Sequence, residues 1–286
     1  MTSNSHKPCS LVLAAHGSQK SPSANATYEM AAAWIRSQGQ FEVVTPAYLN
    51  GQPEISKVLN NLPAGEVVVV PMMTSEGYYS QTVFPRELSN NTRIGEFDIR
   101  VTRALGLHRN LAVIVAGRIE DLLLQNQLNG TETTIVVVGH GTTRHPNSGE
   151  ATENLSRKIG RELSRRHIFS EVTVGFIDQS PNVNEVARTV VTRNLIVIPF
   201  LFGLGPHATE DVPEAFGFES DPNPQFPLKR RRDHGVTLVD FPVGLYPEIP
   251  SLCLQLATEK PSKQHHLPQN SVPKPTAPLF LEGLKS

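Results

Sequence analysis

The segment AAHGSQKSP at 14–22 returns as VGHGTTRHP at 138–146. AYLNGQP (47–53) returns as GFIDQSP (175–181), and VVVPMM (68–73) as IVIPFL (196–201). The offset is 124 for the first pair and 128 for the other two, and Gly77 and Pro85 fall on Gly205 and Pro213 at the same 128. ALGLH (104–108) matches VGLYP (243–247) less well, with Gly106 on Gly244 at 138. The second half therefore carries about ten extra residues before that point, including PLKRRRDHG at 227–235. A repeat of this kind means two related units in one chain.

Each unit alternates short apolar runs with helical patterns. In the first, LVLAA (11–15), FEVVTPAYL (41–49), EVVVVPMM (66–73) and FDIRVTRAL (97–105) predict strands. Residues 23–38, 53–62 and 109–125 predict helices. In the second, TTIVVVG (133–139), EVTVGFI (171–177), NLIVIPFLF (194–202) and GVTLVDFPV (235–243) predict strands, and residues 148–166 the first helix. Continuous apolar strands alternating with helices specify parallel sheets covered on both faces. The expected fold is α/β, with two doubly wound parallel-sheet domains facing each other across a cleft. The expected boundaries are 1–127, 128–258 and a Pro-, Lys- and Gln-rich disordered tail at 259–286.

Composition narrows the function. The formal net charge of −1 gives no global field toward nucleic acid or a membrane surface. No apolar run of about 18 residues exists for a membrane span, and the polar N-terminus has no signal core. A cytoplasmic protein, monomer or homodimer, is expected. The two cysteines, Cys9 and Cys253, are far apart, which excludes a disulfide scaffold and a cysteine-based metal site. Cys253, in the apolar IPSLCLQLA, reads as core.

Sites in open parallel sheets form at the carboxyl ends of the strands. There the second unit places His140, Asp178 and His207, and the first places His16, Asn50 and Tyr79. Only the second set combines three groups able to bind a transition metal and accept protons. His145, His167, His6, His265 and His266 read as loop, helix-end, arm and tail residues.

LAAHGSQ, VVGHGTT, IPFLFGLGPHATEDVP and FPVGLYPEI resemble the class II chelatases, the sirohydrochlorin cobaltochelatase and ferrochelatase family. The resemblance spans roughly residues 10–258. It implies insertion of Co²⁺ or Fe²⁺, with Ni²⁺ a further choice, into a tetrapyrrole, with no organic cofactor. It assigns His140 and His207 as metal-binding and catalytic histidines and Asp178 as the assisting acid. The first half departs from the pattern at Tyr79 and Asn50 and is expected to form one wall of the cleft. His16, Tyr79, Arg144, Phe202 and Gly205 are the candidate tetrapyrrole contacts, with space around His207 provided by Gly203 and Gly205. The basic run Lys229–Arg232 reads as a solvated surface or as a substrate-facing lid. Insertion removes two pyrrole N–H protons, and an imidazole with a pKa of about 6.5 accepts a proton near neutrality.

Two other classes share part of this pattern. A phosphohistidine enzyme needs an arginine just before the histidine, where this chain has Ala15 and Gly139. A non-catalytic tetrapyrrole or metal carrier would keep the pocket and lose turnover.

Overall fold

The computed structural model describes residues 9–19, 22–142, 147–219, 221 and 224–259. Arg144, His145, His6, His265, His266 and the tail from residue 260 lie outside the described residues.

The first half runs β1 (Cys9–Ala15), α1 (Ala26–Ser37), β2 (Val43–Tyr48), β3 (Gly65–Pro71), α2 (Phe84–Ser89), β4 (Phe97–Val101) and α3 (Leu111–Gln125). The second runs β5 (Thr133–Gly139), α4 (Asn147–Arg165), β6 (Glu171–Phe176), α5 (Val183–Thr189), β7 (Asn194–Pro199), α6 (Val212–Ala215), β8 (Leu228–Arg232), β9 (Gly235–Val239) and α7 (Ile249–Thr258). The first sheet is parallel, in the order β2-β1-β3-β4. The second, β6-β5-β7-β9-β8, repeats that order and adds β8 antiparallel at its edge. Two parallel-sheet α/β units are thus present, as the repeat requires.

The strands are apolar throughout because each sheet is covered on both faces. Along β1, Val12 and Ala14 face one side, with Ile55, Leu59 and Phe84. Leu11, Leu13 and Ala15 face the other. That second face is shared: one core joins it to Ile135, Val137, Ile196 and Ile198 of the second sheet through α1, α3, α4 and α7. Across this layer α1 packs on α7 and α3 on α4. Each contact pairs the first helix of one half with the last of the other, as an approximate two-fold arrangement requires.

The halves are also tied by charge. Asp240, just after β9 and fully buried, accepts hydrogen bonds from Arg118 of α3 at 2.9 Å to Oδ2 and 2.7 Å to Oδ1. The Tyr246 hydroxyl donates to Oδ2 at 2.9 Å. The Arg118 guanidinium lies 4.6 Å from the centroid of the Phe241 ring.

Two local expectations need correction. Residues 53–62 form only a 3₁₀ turn at Val58–Asn61 rather than a helix. The backbone before it pairs with the end of β2, through Tyr48 N–H to Pro53 O and Ile55 N–H to Tyr48 O, both at 2.9 Å. The matching stretch of the second half pairs likewise, but Asn182 and Glu185 then form a capping box that starts α5. The third strand of the second half stops at Pro199, short of Phe202. Lys229–Arg232, read as a solvated surface or as a lid, forms most of the edge strand β8, with Lys229, Arg230 and Arg231 exposed. Lys229 reaches Asn126 Oδ1, and Arg232 donates to the Val190 and Thr192 carbonyls. Since Arg232 pairs with Gly235 at the start of β9, its end of the run is opposite the strand ends that carry the site.

Candidate metal and tetrapyrrole site

Two turns build each half-site, and both are repeated. At the first, β5 ends and His140 precedes Gly141, which has a φ of +71°. A Cβ there would lie 3.0 Å from Phe176 Cβ and 3.1 Å from Gln179 Cγ, so glycine is required by conformation and space alike. The turn brings the His140 carbonyl to the Asp178 N–H at 2.9 Å. His16 and Asn50 make the same backbone bond at 2.8 Å in the first half. The second device is a π-helical turn, His207–Asp211 in one half and Tyr79–Val83 in the other. Such widened turns recur at functional sites. This one places His207 beside the residue that follows the first strand.

The His140 and His207 rings meet edge to face, 4.8 Å between centroids at 88°. His140 Nδ1–H donates to the Gly141 carbonyl at 2.8 Å, and an Asp178 carboxylate oxygen stands 3.5 Å from the same nitrogen. His207 Nδ1–H donates to Asp211 Oδ2 at 2.5 Å. Both imidazoles are thus held at Nδ1, and neither Nε2 has a hydrogen-bond partner among the described residues. All four side chains are roughly half exposed.

The first half keeps the geometry with different chemistry. His16 and Tyr79 meet edge to face at 5.2 Å and 77°. Asn50 Nδ2–H donates to His16 Nε2 at 3.2 Å. Tyr78 stands against Tyr79 at 5.8 Å, and both phenols are exposed. Partial burial pushes the His16 imidazole below its ordinary range, and His140 pushes it further the same way. His140 acts on His16 through its charge, so the two half-sites lie within electrostatic reach of each other.

Several expected site residues are placed differently. Among the described residues, no three His, Cys, Asp or Glu side chains converge as metal ligands. His140, His207 and Asp178 are neighbours, but Asp178 lies on the Nδ1 side of His140, away from the free nitrogens. Phe202 is 5% exposed and packs on Phe200 in the core, so it offers no face to a macrocycle. Gly205 does open onto free space. Gly203 does not: a Cβ there would lie 2.9 Å from Tyr28 Oη, so this glycine admits helix α1 of the other half. Arg144 lies outside the described residues. Asp211 was missed by sequence reasoning, although its spacing four residues after His207 was a readable signal.

The CbiX family model matches residues 10–122 and 134–260. A probable sirohydrochlorin cobaltochelatase of Halobacterium salinarum is 30% identical over 228 residues, covering 71% of this chain and 75% of that protein. Among solved structures, a multi-domain protein of Deinococcus radiodurans with structural similarity to chelatases superposes with a TM-score of 0.68 at 26% identity. The match covers 88% of this chain but 55% of that one, which has two additional domains. The sirohydrochlorin chelatase SirB of Bacillus subtilis subspecies spizizenii, in complex with cobalt, gives 0.62 at 15% identity, covering 87% of this chain and 94% of that one. At that identity the likeness speaks to the fold.

Proposed function

Since the chain belongs to the CbiX family, we propose that it is a sirohydrochlorin chelatase, inserting a divalent metal ion into the macrocycle at the half-site of His140 and His207. The observation that carries this reading is the pair of adjoining imidazoles, each anchored at Nδ1 and, among the described residues, without a partner at Nε2. Two imidazole nitrogens suit Co²⁺ and Fe²⁺ alike and leave most coordination positions open. An ion held by so few protein ligands is readily surrendered to four pyrrole nitrogens. Once a histidine has released the metal, its Nε2 is a base of suitable strength for a departing pyrrole proton. Asp178, 3.5 Å from His140 Nδ1, places a carboxylate beside the ring that takes up the proton.

The first half supplies the opposite wall. Tyr78 and Tyr79 offer exposed aromatic surface beside His16, fitting a flat ring system. His16 stays uncharged near neutral pH because its pKa is lowered.

The test is to mix the purified chain with sirohydrochlorin and, separately, Co²⁺, Fe²⁺ and Ni²⁺, following the absorbance of the macrocycle. Catalytic conversion over many turnovers is expected, with Co²⁺ or Fe²⁺ the faster substrate. Conversion that stops at one equivalent of protein would instead identify a carrier.

A further inference from the structure

We infer that Asp211 is a positioning residue for His207: it holds the imidazole as the Nδ1–H tautomer, so that Nε2 is the nitrogen offered to the metal. The inference deepens the proposed function and rests on it for the identity of the ligand. Asp211 Oδ2 is 2.5 Å from His207 Nδ1, inside the π-helical turn that both residues bound. A carboxylate can only accept a hydrogen bond from a neutral imidazole, so it selects the tautomer that puts the proton on Nδ1. It also restrains rotation of the ring, which is about half exposed. A hydrogen-bonding partner of this kind typically changes metal affinity by about 10–100-fold.

The internal repeat provides the contrast. The turn in the first half has the same π geometry, but its first residue is Tyr79 and its fifth is Val83. Where there is no imidazole to orient, there is no acid. His140 reaches the same state by another route, donating Nδ1–H to the carbonyl of Gly141. The two histidines therefore present the same nitrogen, one oriented by backbone and the other by Asp211.

The experiment needs no tetrapyrrole. Long-range ¹H–¹⁵N NMR on the metal-free full chain, at a pH where the imidazoles are neutral, reads the tautomer of His207. Co²⁺ titration followed by d–d absorbance reads affinity. Wild type should show the Nδ1–H form. Asp211→Ala should shift His207 toward the Nε2–H form and weaken Co²⁺ binding about 10–100-fold. In a His207→Ala background, the same substitution should cost nothing further. Asp211→Ser serves as a second variant if the alanine variant is not folded by circular dichroism. An unchanged tautomer overturns the inference, as does an equal loss of Co²⁺ affinity in the His207→Ala background. If His207→Ala leaves Co²⁺ binding intact while Asp211→Ala still switches the tautomer, positioning stands and the assignment of His207 as a ligand falls.

Discussion

Replacing Arg118 with methionine tests how the two halves are locked together. Methionine keeps much of the side-chain length, and with it the packing on Phe241, but removes the guanidinium. Asp240 then loses the bonds at 2.7 and 2.9 Å and keeps, among the described residues, only the Tyr246 hydroxyl, while remaining fully buried. Removing one partner of a buried pair typically costs about 3–5 kcal/mol, because the remaining charge has no way back to water. Arg118 retains some exposure, 20% of its side chain, but the stranded group is Asp240. The lower end, about 3 kcal/mol, is therefore expected. Urea unfolding followed by circular dichroism should show this as a reduced midpoint with an unchanged slope. The companion variant is Arg118→Met with Asp240→Asn, which removes the stranded charge yet keeps an acceptor for Tyr246. It should recover at least half of the loss. A single-variant cost below about 1 kcal/mol, or strict additivity of the two substitutions, would refute the reasoning.

In the site, His140→Ala and His207→Ala should each lower the rate of metal insertion by about 10²–10⁴-fold, whereas His16→Ala and Tyr79→Phe should cost about tenfold or less. Equal losses in both halves would show that the halves share the chemistry. Gly203→Ala forces a Cβ against the Tyr28 hydroxyl and should destabilise by about 1–3 kcal/mol, with Tyr28→Phe relieving most of that in the double variant. Burial lowers the pKa of His108, against a smaller opposing pull from Glu259. The unfolded chain therefore binds the proton more readily, and this contribution to stability, whole above about pH 6.5, is lost as pH falls toward the folded pKa. Urea midpoints measured from pH 7.5 to 5.5 should fall less steeply in His108→Gln than in wild type.

The parallel sheets were legible because their strands are apolar on both faces and flanked by glycine and proline. The half-sites were legible because a repeat aligns strand ends regardless of the loops between them. What escaped was set by contacts with no local signature. The 53–62 segment looks helical by its apolar spacing, but its backbone is taken by Tyr48. Phe202 looked like a cleft residue because it ends the expected strand 194–202, yet the strand stops at Pro199 and the ring turns into the shared core. Gly203 looked like clearance for a ligand, whereas the partner it admits is Tyr28, some 175 residues earlier in the chain. Asp211 was hidden differently: its meaning depends on a π-helical turn, in which the pair at i and i+4 bonds ring to carboxylate.

The helix layer shared by the two sheets also limits how sequence change can act on the site. A chain with a single half would have to cover its α1 and α3 surfaces with a second copy of itself. Symmetry would then force both walls to carry the same residues, and any substitution would appear twice. Joining the halves in one polypeptide removes that constraint and makes their association independent of concentration. Mutation can then alter one wall at a time, which is how histidine at 207 coexists with tyrosine at 79 on the same turn. On the proposed function, a macrocycle bound between the two half-sites would meet two unlike faces and so have a defined up and down, although the framework around it is nearly symmetric.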